Sequence, residues 1–433
     1  MYKSYEIKNK LTYDNSAIKL MILCVIVYAF SYIGRKSYDS SINEIMTYYG
    51  LTDKADAGLV GTFFFVVYAV GQVFHGLLCK HYNQKYSVFL ALVVCGLSNL
   101  AVGSMPIWGF KFLKYIWLVN GFATASLWSS LILLLNKLMT AKRLRQSVLA
   151  MSFPVSIGTF LVYGISSLCS ALNSFKWTFY IASFVTIFIA IVWLLVFDKL
   201  VFKCRIEKID TEGEDPIAKV DLKREKKKVK IDKSFYVLFC VLALFAMVNN
   251  FVKDGLNTWT PTILKDMFSL DNWISVLLTI ALPIFAVIGA ALSIFLNRKI
   301  HNYIIVCGLL YLATLIICLV LVFAWGLNSW LLTLVCFMSI SFMMACINST
   351  LTNVFPLQCK GGVNAGMVAG LIDGFCYLGS ALSSYGLGKI IDSLNNDWKT
   401  VIVLFAILCA VCVFIVVVTT SISAISKAKR QKV

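Results

Sequence analysis

The sequence is poor in charged residues. Asp, Glu, Lys and Arg make up 14% of its 433 residues and hydrophobic residues 60%, whereas soluble domains contain about 25% charged residues. A water-soluble globule of this size would lack the polar residues needed to cover its surface. The shortage of charge therefore excludes an ordinary soluble enzyme, a secreted disulfide-rich domain and a disordered chain, and it favours a polytopic membrane protein.

The sequence also lacks the residue clusters of metal sites and catalytic centres. Its three histidines, His75, His81 and His301, lie far apart, and its 14 cysteines are scattered through apolar segments. The close pair Cys409 and Cys412 lies inside the last apolar segment, where two small apolar residues are a better interpretation than a redox or metal pair. Without a nucleotide-binding Walker motif, a catalytic triad or paired carboxylates, we expect no cofactor, no metal and no enzymatic activity.

Twelve apolar runs are long enough to cross a bilayer as helices, which takes about 20 residues each. Their approximate cores are residues 18–34, 57–78, 87–104, 115–135, 147–171, 177–197, 235–252, 272–296, 303–323, 329–350, 363–388 and 400–422. The first and seventh runs continue past a charged residue, so we expect longer helices there. The fourth and fifth runs contain polar residues, as helices that line a cavity do.

A charged segment, which includes the run Lys223-Arg-Glu-Lys-Lys-Lys228, divides the apolar runs into two groups of six. Its composition is typical of a solvated linker. The predicted organisation comprises an N-terminal tail of residues 1–16, six helices in 17–198, the linker 199–233, six helices in 234–425 and a C-terminal tail of 426–433.

Positive charge is concentrated on one side of this topology. Most of the 39 Lys and Arg residues fall in the tails, the linker and the loops that share a side with them. The positive-inside rule places that side, with both termini, in the cytoplasm. The topology explains the net charge of +18 without nucleic-acid binding, and we expect a multi-pass plasma-membrane protein whose basic linker lies near anionic lipid.

The two groups of helices repeat with an offset of 218 residues. Arg35 near the end of the first run corresponds to Lys253 near the end of the seventh. Thr52 or Asp53 is predicted to cap the helix that follows the first run, and Ser269 or Asp271 the helix that follows the seventh. Such a repeat predicts two pseudo-symmetric six-helix bundles with a binding site at their interface. The predicted fold is an all-α membrane protein with twelve transmembrane helices, the major facilitator fold.

Arg35 and Lys253 are predicted to form an anion clamp, with one cation from each bundle. An ionisable side chain inside the membrane costs about 2.5–3.5 kcal/mol on insertion scales, so it needs a partner or a watery cavity. Two cations that face each other repel unless an anion lies between them. The planar fork of arginine suits phosphate, whereas lysine supplies a point charge. In the alternative interpretation Asp39, four residues after Arg35, neutralises it within the helix.

Polar side chains near the two cations are candidate hydrogen-bond donors to a ligand. These are Tyr28 and Tyr32 on the first run, Tyr68 and Gln72 on the second, and Asn250 on the seventh. Helical spacing places both tyrosines of the first run on the face of Arg35. Packing or an interfacial aromatic belt is the alternative for each residue taken alone.

Asp373 in the eleventh run has three interpretations, namely a counter-ion for Lys253, a proton-coupling carboxylate and a buried neutral acid, of which the first is favoured. His75 is a candidate proton site, with a structural histidine as the alternative. A close-packed helix face is predicted by the glycines that recur every four residues in the eleventh run, Gly366, Gly370 and Gly374.

Several stretches together resemble one transporter family. They are Tyr32-Ile-Gly-Arg35-Lys36-Ser37, Gly58-Leu-Val-Gly61, Tyr68-Ala-Val-Gly71, the segment from Asp254 to Lys265, Gly366-Met-Val-Ala-Gly370, Phe375-Cys-Tyr377-Leu-Gly379 and Gly388-Lys-Ile-Ile-Asp392. Over most of its length outside the linker and tails, the chain resembles the organophosphate:phosphate antiporters of the major facilitator superfamily, which include glycerol-3-phosphate and hexose-phosphate transporters.

The resemblance implies a monomer in which Arg35 binds the phosphoryl group of a substrate. It places around the same cavity the aromatic residues Tyr28, Tyr32, Tyr68, Trp128 and Tyr377. The candidates for a counter-ion or for ion coupling are Lys36, Asp39, His75 and Asp373. Two departures leave fewer cations for a dianion, because an essential arginine of the family aligns with Lys253 and a cavity lysine aligns with Gln72.

The leading hypothesis is a secondary transporter of a small anionic metabolite, a sugar phosphate or glycerol phosphate, that works by rocker-switch alternating access. Inorganic phosphate or a proton is the candidate coupled ion. One alternative is a proton-coupled transporter of a non-phosphorylated solute that uses Asp373 and His75. The other alternative is a transporter-like membrane sensor of a phosphorylated sugar, in which the linker contacts a partner protein.

Overall fold

The computed structural model contains helices and no strands among the residues that it describes. These residues are 14–79, 81–104, 109–139, 141–151, 153–203, 233–300, 302–355, 365–394 and 396–430. Most of the predicted N-terminal tail and residues 204–232 of the predicted linker lie outside this set.

The described part of the first half contains eight helices. They are α1 (Asp14–Ser40), α2 (Ile42–Tyr49), α3 (Lys54–Leu78), α4 (Gln84–Gly103), α5 (Phe110–Leu138), α6 (Ala141–Ala150), α7 (Pro154–Ala171) and α8 (Lys176–Lys203). The second half contains α9 (Lys233–Phe268), α10 (Asn272–Thr279), α11 (Ala281–Lys299), α12 (Tyr303–Phe323), α13 (Trp330–Ser349), α14 (Ala365–Ser393) and α15 (Trp398–Arg430).

Twelve helical segments span the membrane, as the sequence predicts. Eleven segments in the described part of the chain are long and apolar enough to do so, with α10 and α11 counted as one. The twelfth is α14, a helix of 29 residues that packs along α3 and α9. Large apolar side chains such as Phe184, Leu195 and Phe414 are exposed on the outer faces, which is the arrangement expected of surfaces that contact lipid.

The fifth span is shorter than predicted. Its helix α7 begins at Pro154, and the preceding residues form the separate helix α6, so the predicted start at residue 147 is wrong. Proline lacks an N–H and restricts the residue before it, and it is therefore favoured at the first helical position rather than inside a helix. The helices of the first and seventh spans, α1 and α9, extend further than their apolar cores, to Ser40 and Phe268.

Equivalent helix pairs pack in the same way in the two halves. Gly158 of α7 lies against the carbonyl oxygen of Ala29 on α1, and a Cβ at this glycine would overlap that oxygen. Gly379 of α14 is related in the same way to Met247 on α9. The repeat found in the sequence is thus also a repeat of helix packing.

The two halves meet at the end of the helix bundles where α1 ends and α3 begins. We call this junction the seam. Its hydrogen bonds join Asn43 to Asn272 and Thr262, Ser170 to Asn272, Thr62 to Ala381, Tyr163 to Asn257, Ser167 to Trp273, and Ser384 to Gly58. All of these hydrogen bonds lie at this end of the molecule. The molecule is therefore closed at the seam.

At the opposite end α3 and α14 diverge. Gly388 of α14 packs directly on the backbone of Lys54, whereas nothing lies within 4 Å of a Cβ built on Gly370 or Gly374. The prediction of a close-packed face is therefore wrong for these two glycines, and the surroundings of Gly366 lie outside the described contacts. The described hydrogen bonds thus join the halves at the seam, whereas α14 has open space beside Gly370 and Gly374.

Candidate functional site

Arg35 lies on α1 and is enclosed by aromatic rings. The residue is 4% exposed, and its guanidinium carbon lies 4.2 Å from the ring centroid of Tyr32 and 4.4 Å from that of Tyr68. Such cation–π contacts contribute about 2 kcal/mol when the cation is desolvated. Among the described residues, however, its Nε and Nη1 have no hydrogen-bond partner. The guanidinium is therefore a buried cation with free donors.

Amide side chains from two neighbouring helices hold α1 beside Arg35. The Nδ2 groups of Asn99 on α4 and Asn120 on α5 donate to the carbonyl oxygen of Gly34 at 2.8 and 3.1 Å. Ser37 in turn donates to Oδ1 of Asn99 at 2.6 Å. Neither asparagine was predicted from the sequence, although an amide within an apolar run is a signal for a buried hydrogen bond.

The predicted aromatic residues of the first half form one wall. The ring of Tyr28 lies 5.4 Å from that of Tyr32 and 5.4 Å from that of Trp128 on α5. Tyr28 and Tyr32 are buried, whereas Trp128 is partly exposed. The structure thus brings these three residues together beside Arg35.

The second half reaches this wall through Tyr377 of α14. Its ring centroid lies 4.4 Å from that of Tyr68 on α3, and the Nε2 of Gln72 donates to the hydroxyl of Tyr68 at 3.1 Å. Tyr68 therefore contacts Arg35, Gln72 and Tyr377 at once. The aromatic pair Tyr68 and Tyr377 joins the two halves directly below the seam.

Lys253 of α9 is partly neutralised by its neighbour in the sequence. Its side chain is 20% exposed, and its Nζ lies 3.7 Å from Oδ1 of Asp254. Oδ2 of Asp254 accepts hydrogen bonds from Ser380 at 2.5 Å and from Asn250 at 3.5 Å. Asn250, predicted as a ligand donor, therefore bonds to the carboxylate beside Lys253, and the sequence analysis did not assign Asp254 a role.

Asp39 pairs with Lys36 rather than with Arg35. Its Oδ2 lies 2.6 Å from the lysine Nζ, one helical turn away on α1. Lys36 also lies 5.1 Å from the ring centroid of Phe65. Because Asp39 is occupied by Lys36, the described ion pairs leave Arg35 without a carboxylate partner.

The remaining candidates lie in different surroundings. Asp373 of α14 is partly exposed and interacts electrostatically with Lys253 and Arg35, but it forms no ion pair or hydrogen bond with another described residue. His75 lies 3.2 Å from the hydroxyl of Tyr82 and 3.3 Å from the carbonyl oxygen of Phe122. His75 belongs to α3, and these contacts place its side chain against α5. The neighbouring side chains of Phe74 and Leu77 are exposed.

Buried charges and aromatic rings thus meet between two repeated bundles of membrane helices. This arrangement of two repeated bundles is typical of secondary transporters rather than of enzymes. The chain belongs to the Major Facilitator Superfamily, whose family model matches residues 24–383.

Two curated relatives match short segments of the chain. A segment of 123 residues is 31% identical to membrane sensor protein UhpC of Escherichia coli (strain K12) and covers 28% of this chain and 27% of that protein. A segment of 76 residues is 28% identical to the probable hexose phosphate transport protein of Chlamydia trachomatis serovar D and covers 18% of this chain and 16% of that protein. The matches span less than a third of either relative.

Solved structures share the fold over nearly the whole chain. A bacterial homolog of the human lysosomal transporter Spinster, in an inward-facing and occupied conformation, has a TM-score of 0.71 at 13% identity and covers 94% of this chain and 98% of its own. The D-xylose-proton symporter has a TM-score of 0.70 at 14% identity, with coverages of 94% and 97%. At this identity the likeness establishes the fold alone.

Proposed function

We propose that this chain is a secondary active transporter of a small anionic metabolite, a sugar phosphate or a glycerol phosphate, that works by rocker-switch alternating access. The observation that carries the proposal is Arg35, a buried guanidinium with free donors between two tyrosine rings. A cation inside the membrane needs an anionic partner. A phosphoryl group suits this position because arginine binds its oxygens through two parallel hydrogen bonds.

Lys253 supplies the second contact of the proposed clamp. It occupies the position of Arg35 in the repeat, but Asp254 shares its charge. The substrate therefore binds first and most strongly to Arg35, and Lys253 of the other half then contacts it. An anion between the two cations relieves their repulsion and draws the halves together at the open end.

The orientation of the chain decides which side of the membrane the cavity faces. With both termini in the cytoplasm, as the positive-inside rule predicts, the seam lies outside and the cavity opens toward the cytoplasm. Release to the other side requires the seam to open while the cytoplasmic ends of the helices close. The hydrogen bonds of the seam are thus the contacts that a transport cycle breaks and remakes.

The relatives support the choice of substrate class. The Chlamydia protein is named as a probable hexose phosphate transport protein, and the motif that includes Arg35 resembles those of the organophosphate:phosphate antiporters. A hexose phosphate therefore is the first substrate to test.

Uptake of labelled glucose 6-phosphate by Arg35→Ala and Lys253→Ala tests the proposal. Loss of a charge-assisted hydrogen bond costs about 1.5–3 kcal/mol, so each variant should lose uptake by at least about tenfold while the membrane retains normal amounts of folded protein. Lys111→Ala, which removes an exposed lysine of α5, is the control and should keep full uptake. Full uptake by both clamp variants would contradict the proposal.

A membrane sensor of a phosphorylated sugar is the second candidate, and the match to a protein named as a membrane sensor favours it. In that case the predicted linker 199–233 would contact a signalling partner. Deletion of residues 206–230 separates the two functions. A transporter keeps its uptake after the deletion, whereas a sensor shows no net uptake before it and loses ligand-dependent partner binding after it.

A further inference from the structure

Four ionisable side chains around the cavity are paired and two are not. The paired groups are Lys36 with Asp39 at 2.6 Å and Lys253 with Asp254 at 3.7 Å. Arg35 in the first half and Asp373 in the second half take part in none of the ion pairs among the described residues. The two unpaired groups have opposite charge and lie on opposite halves.

Asp373 and Arg35 flank the same aromatic pair. Tyr377 follows Asp373 by one helical turn on α14, and its ring lies 4.4 Å from that of Tyr68, which itself lies 4.4 Å from the guanidinium of Arg35. Asp373 interacts electrostatically with Lys253 first and with Arg35 second, and among the described residues it forms an ion pair with neither. Nothing lies within 4 Å of a Cβ built on the adjacent Gly374, so no other helix packs against α14 at that residue.

A substrate with a single kind of charge does not match both groups. A dianionic sugar phosphate satisfies Arg35 but brings negative charge toward the carboxylate of Asp373, and like charges a few ångströms apart repel strongly in a site of low dielectric constant. An ammonium group on the same molecule would instead donate charge-assisted hydrogen bonds to this carboxylate.

We propose that the substrate is an amino-sugar phosphate or a similar phosphorylated amine, whose phosphoryl group binds Arg35 and whose ammonium group binds Asp373. This inference rests on the proposed function and narrows its substrate class. Asp373 is then the residue that determines specificity, and Lys253, whose charge Asp254 partly neutralises, contacts the phosphoryl group together with Arg35.

Three hexose phosphates that differ at one carbon test the proposal by competition for uptake. Glucosamine 6-phosphate carries an ammonium group, glucose 6-phosphate a hydroxyl and N-acetylglucosamine 6-phosphate a neutral amide. The wild type should bind glucosamine 6-phosphate at least about tenfold more tightly than the other two, because a buried charge-assisted hydrogen bond contributes about 1.5–3 kcal/mol. Asp373→Asn, compared at equal amounts of folded protein in the membrane, should abolish this preference, because its amide neither attracts the ammonium group nor repels the phosphoryl group.

The matched control is Asp397→Asn, which removes the same charge from an exposed position before α15 where asparagine is an equally good helix cap. It should keep the wild-type preference. Equal affinity of the wild type for the three sugars would overturn the proposal, as would a preference that survives Asp373→Asn. A variant that changes only the pH dependence of glucose 6-phosphate uptake would make Asp373 a proton site and would also overturn it.

The outcomes separate this inference from the function on which it rests. If the sugars compete equally and Arg35→Ala abolishes their uptake, the phosphate transporter stands and the amine preference is wrong. If none of the three competes for any uptake or protects the protein, both proposals are wrong.

Discussion

Asp392, near the end of α14, caps the first helical residue of α3, Lys54, although the two residues lie on opposite halves. Its carboxylate oxygens accept hydrogen bonds from the backbone nitrogens of Lys54 at 2.9 Å and Ala55 at 2.8 Å. Asp53 occupies the N-cap position of α3, as predicted, but its side chain makes no capping hydrogen bond. The seam therefore includes a helix cap that one half supplies to the other.

Removal of this shared cap should shift the transporter toward the state in which the seam is open. An N-cap contributes about 0.5–2 kcal/mol, so Asp392→Ala should increase the open population by up to about thirtyfold. A cysteine at Thr62, whose hydroxyl bonds across the seam to Ala381 at 2.8 Å, reports the opening through its labelling by a membrane-impermeant maleimide.

Asp392→Asn serves as the conservative comparison because it retains one acceptor oxygen, and its labelling should be intermediate. If Thr62→Cys is labelled at the same rate with and without the additional substitution Asp392→Ala, the cap does not hold the seam closed. Lys54 adds to the same junction through Asn396 at 2.6 Å and Asp266 at 3.1 Å, so a partial effect of the single variant is expected.

A bulky side chain at Gly58 should prevent the seam from closing. A Cβ at this position of α3 would overlap the backbone carbonyl oxygen of Ser384, and backbone atoms of two packed helices cannot move aside without separating the halves. Gly58→Leu should therefore abolish net uptake and make Thr62→Cys permanently accessible, while the protein still inserts and folds.

Gly76→Leu is the matched control for this prediction. Gly76 lies on the same helix, and nothing lies within 4 Å of a Cβ built there, so the variant should transport at about the wild-type rate. Normal uptake by Gly58→Leu would show that the seam does not close as tightly during transport as it does in this structure.

Removal of the charge beside Lys253 should strengthen the binding of simple anions. Asp254→Asn keeps an oxygen that accepts from Ser380 but releases the full charge of Lys253 to the cavity. The half-saturating concentration of glucose 6-phosphate should fall by about tenfold, which corresponds to about 1.4 kcal/mol.

Ser380→Ala is the companion variant, since it removes the hydrogen bond to Asp254 and leaves every charge in place. Its affinity for glucose 6-phosphate should stay within about threefold of the wild type. Weaker binding by Asp254→Asn would mean that Asp254 positions Lys253 for the substrate rather than competing with it.

The sequence was sufficient to predict the span count and the packing repeat, because both follow from hydrophobic runs and from their spacing. It also predicted which aromatic residues lie near Arg35, since helical periodicity places Tyr28 and Tyr32 on one face. It failed at the start of α7, where the apolar pattern continues through Pro154 although the backbone cannot. The hydrophobicity of a run does not show that a single proline within it ends one helix and begins the next.

The pairing of charges could not be obtained from the sequence. The helical spacing allows Asp39 to form an ion pair with either Arg35 or Lys36, and only the side-chain geometry shows that it pairs with Lys36. Asp254 accepts a hydrogen bond from Ser380, and Asp392 accepts one from Lys54, in each case across more than a hundred residues of sequence. Such contacts depend on how helices from distant parts of the chain pack, which periodicity within a single helix does not encode.

The most direct test of the central claim is the thermal stabilisation of the purified protein by ligands. A ligand that binds the folded state raises its apparent stability by RT ln(1 + [L]/Kd), which is about 2.7 kcal/mol at a hundredfold excess over Kd. Wild type and Arg35→Ala would be compared with inorganic phosphate, glycerol 3-phosphate, hexose phosphates and non-phosphorylated carboxylates. The account predicts that phosphate esters raise the melting temperature of the wild type and leave that of Arg35→Ala unchanged. Stabilisation by a carboxylate or neutral solute but by no phosphate, or an equal shift in both proteins, would contradict it.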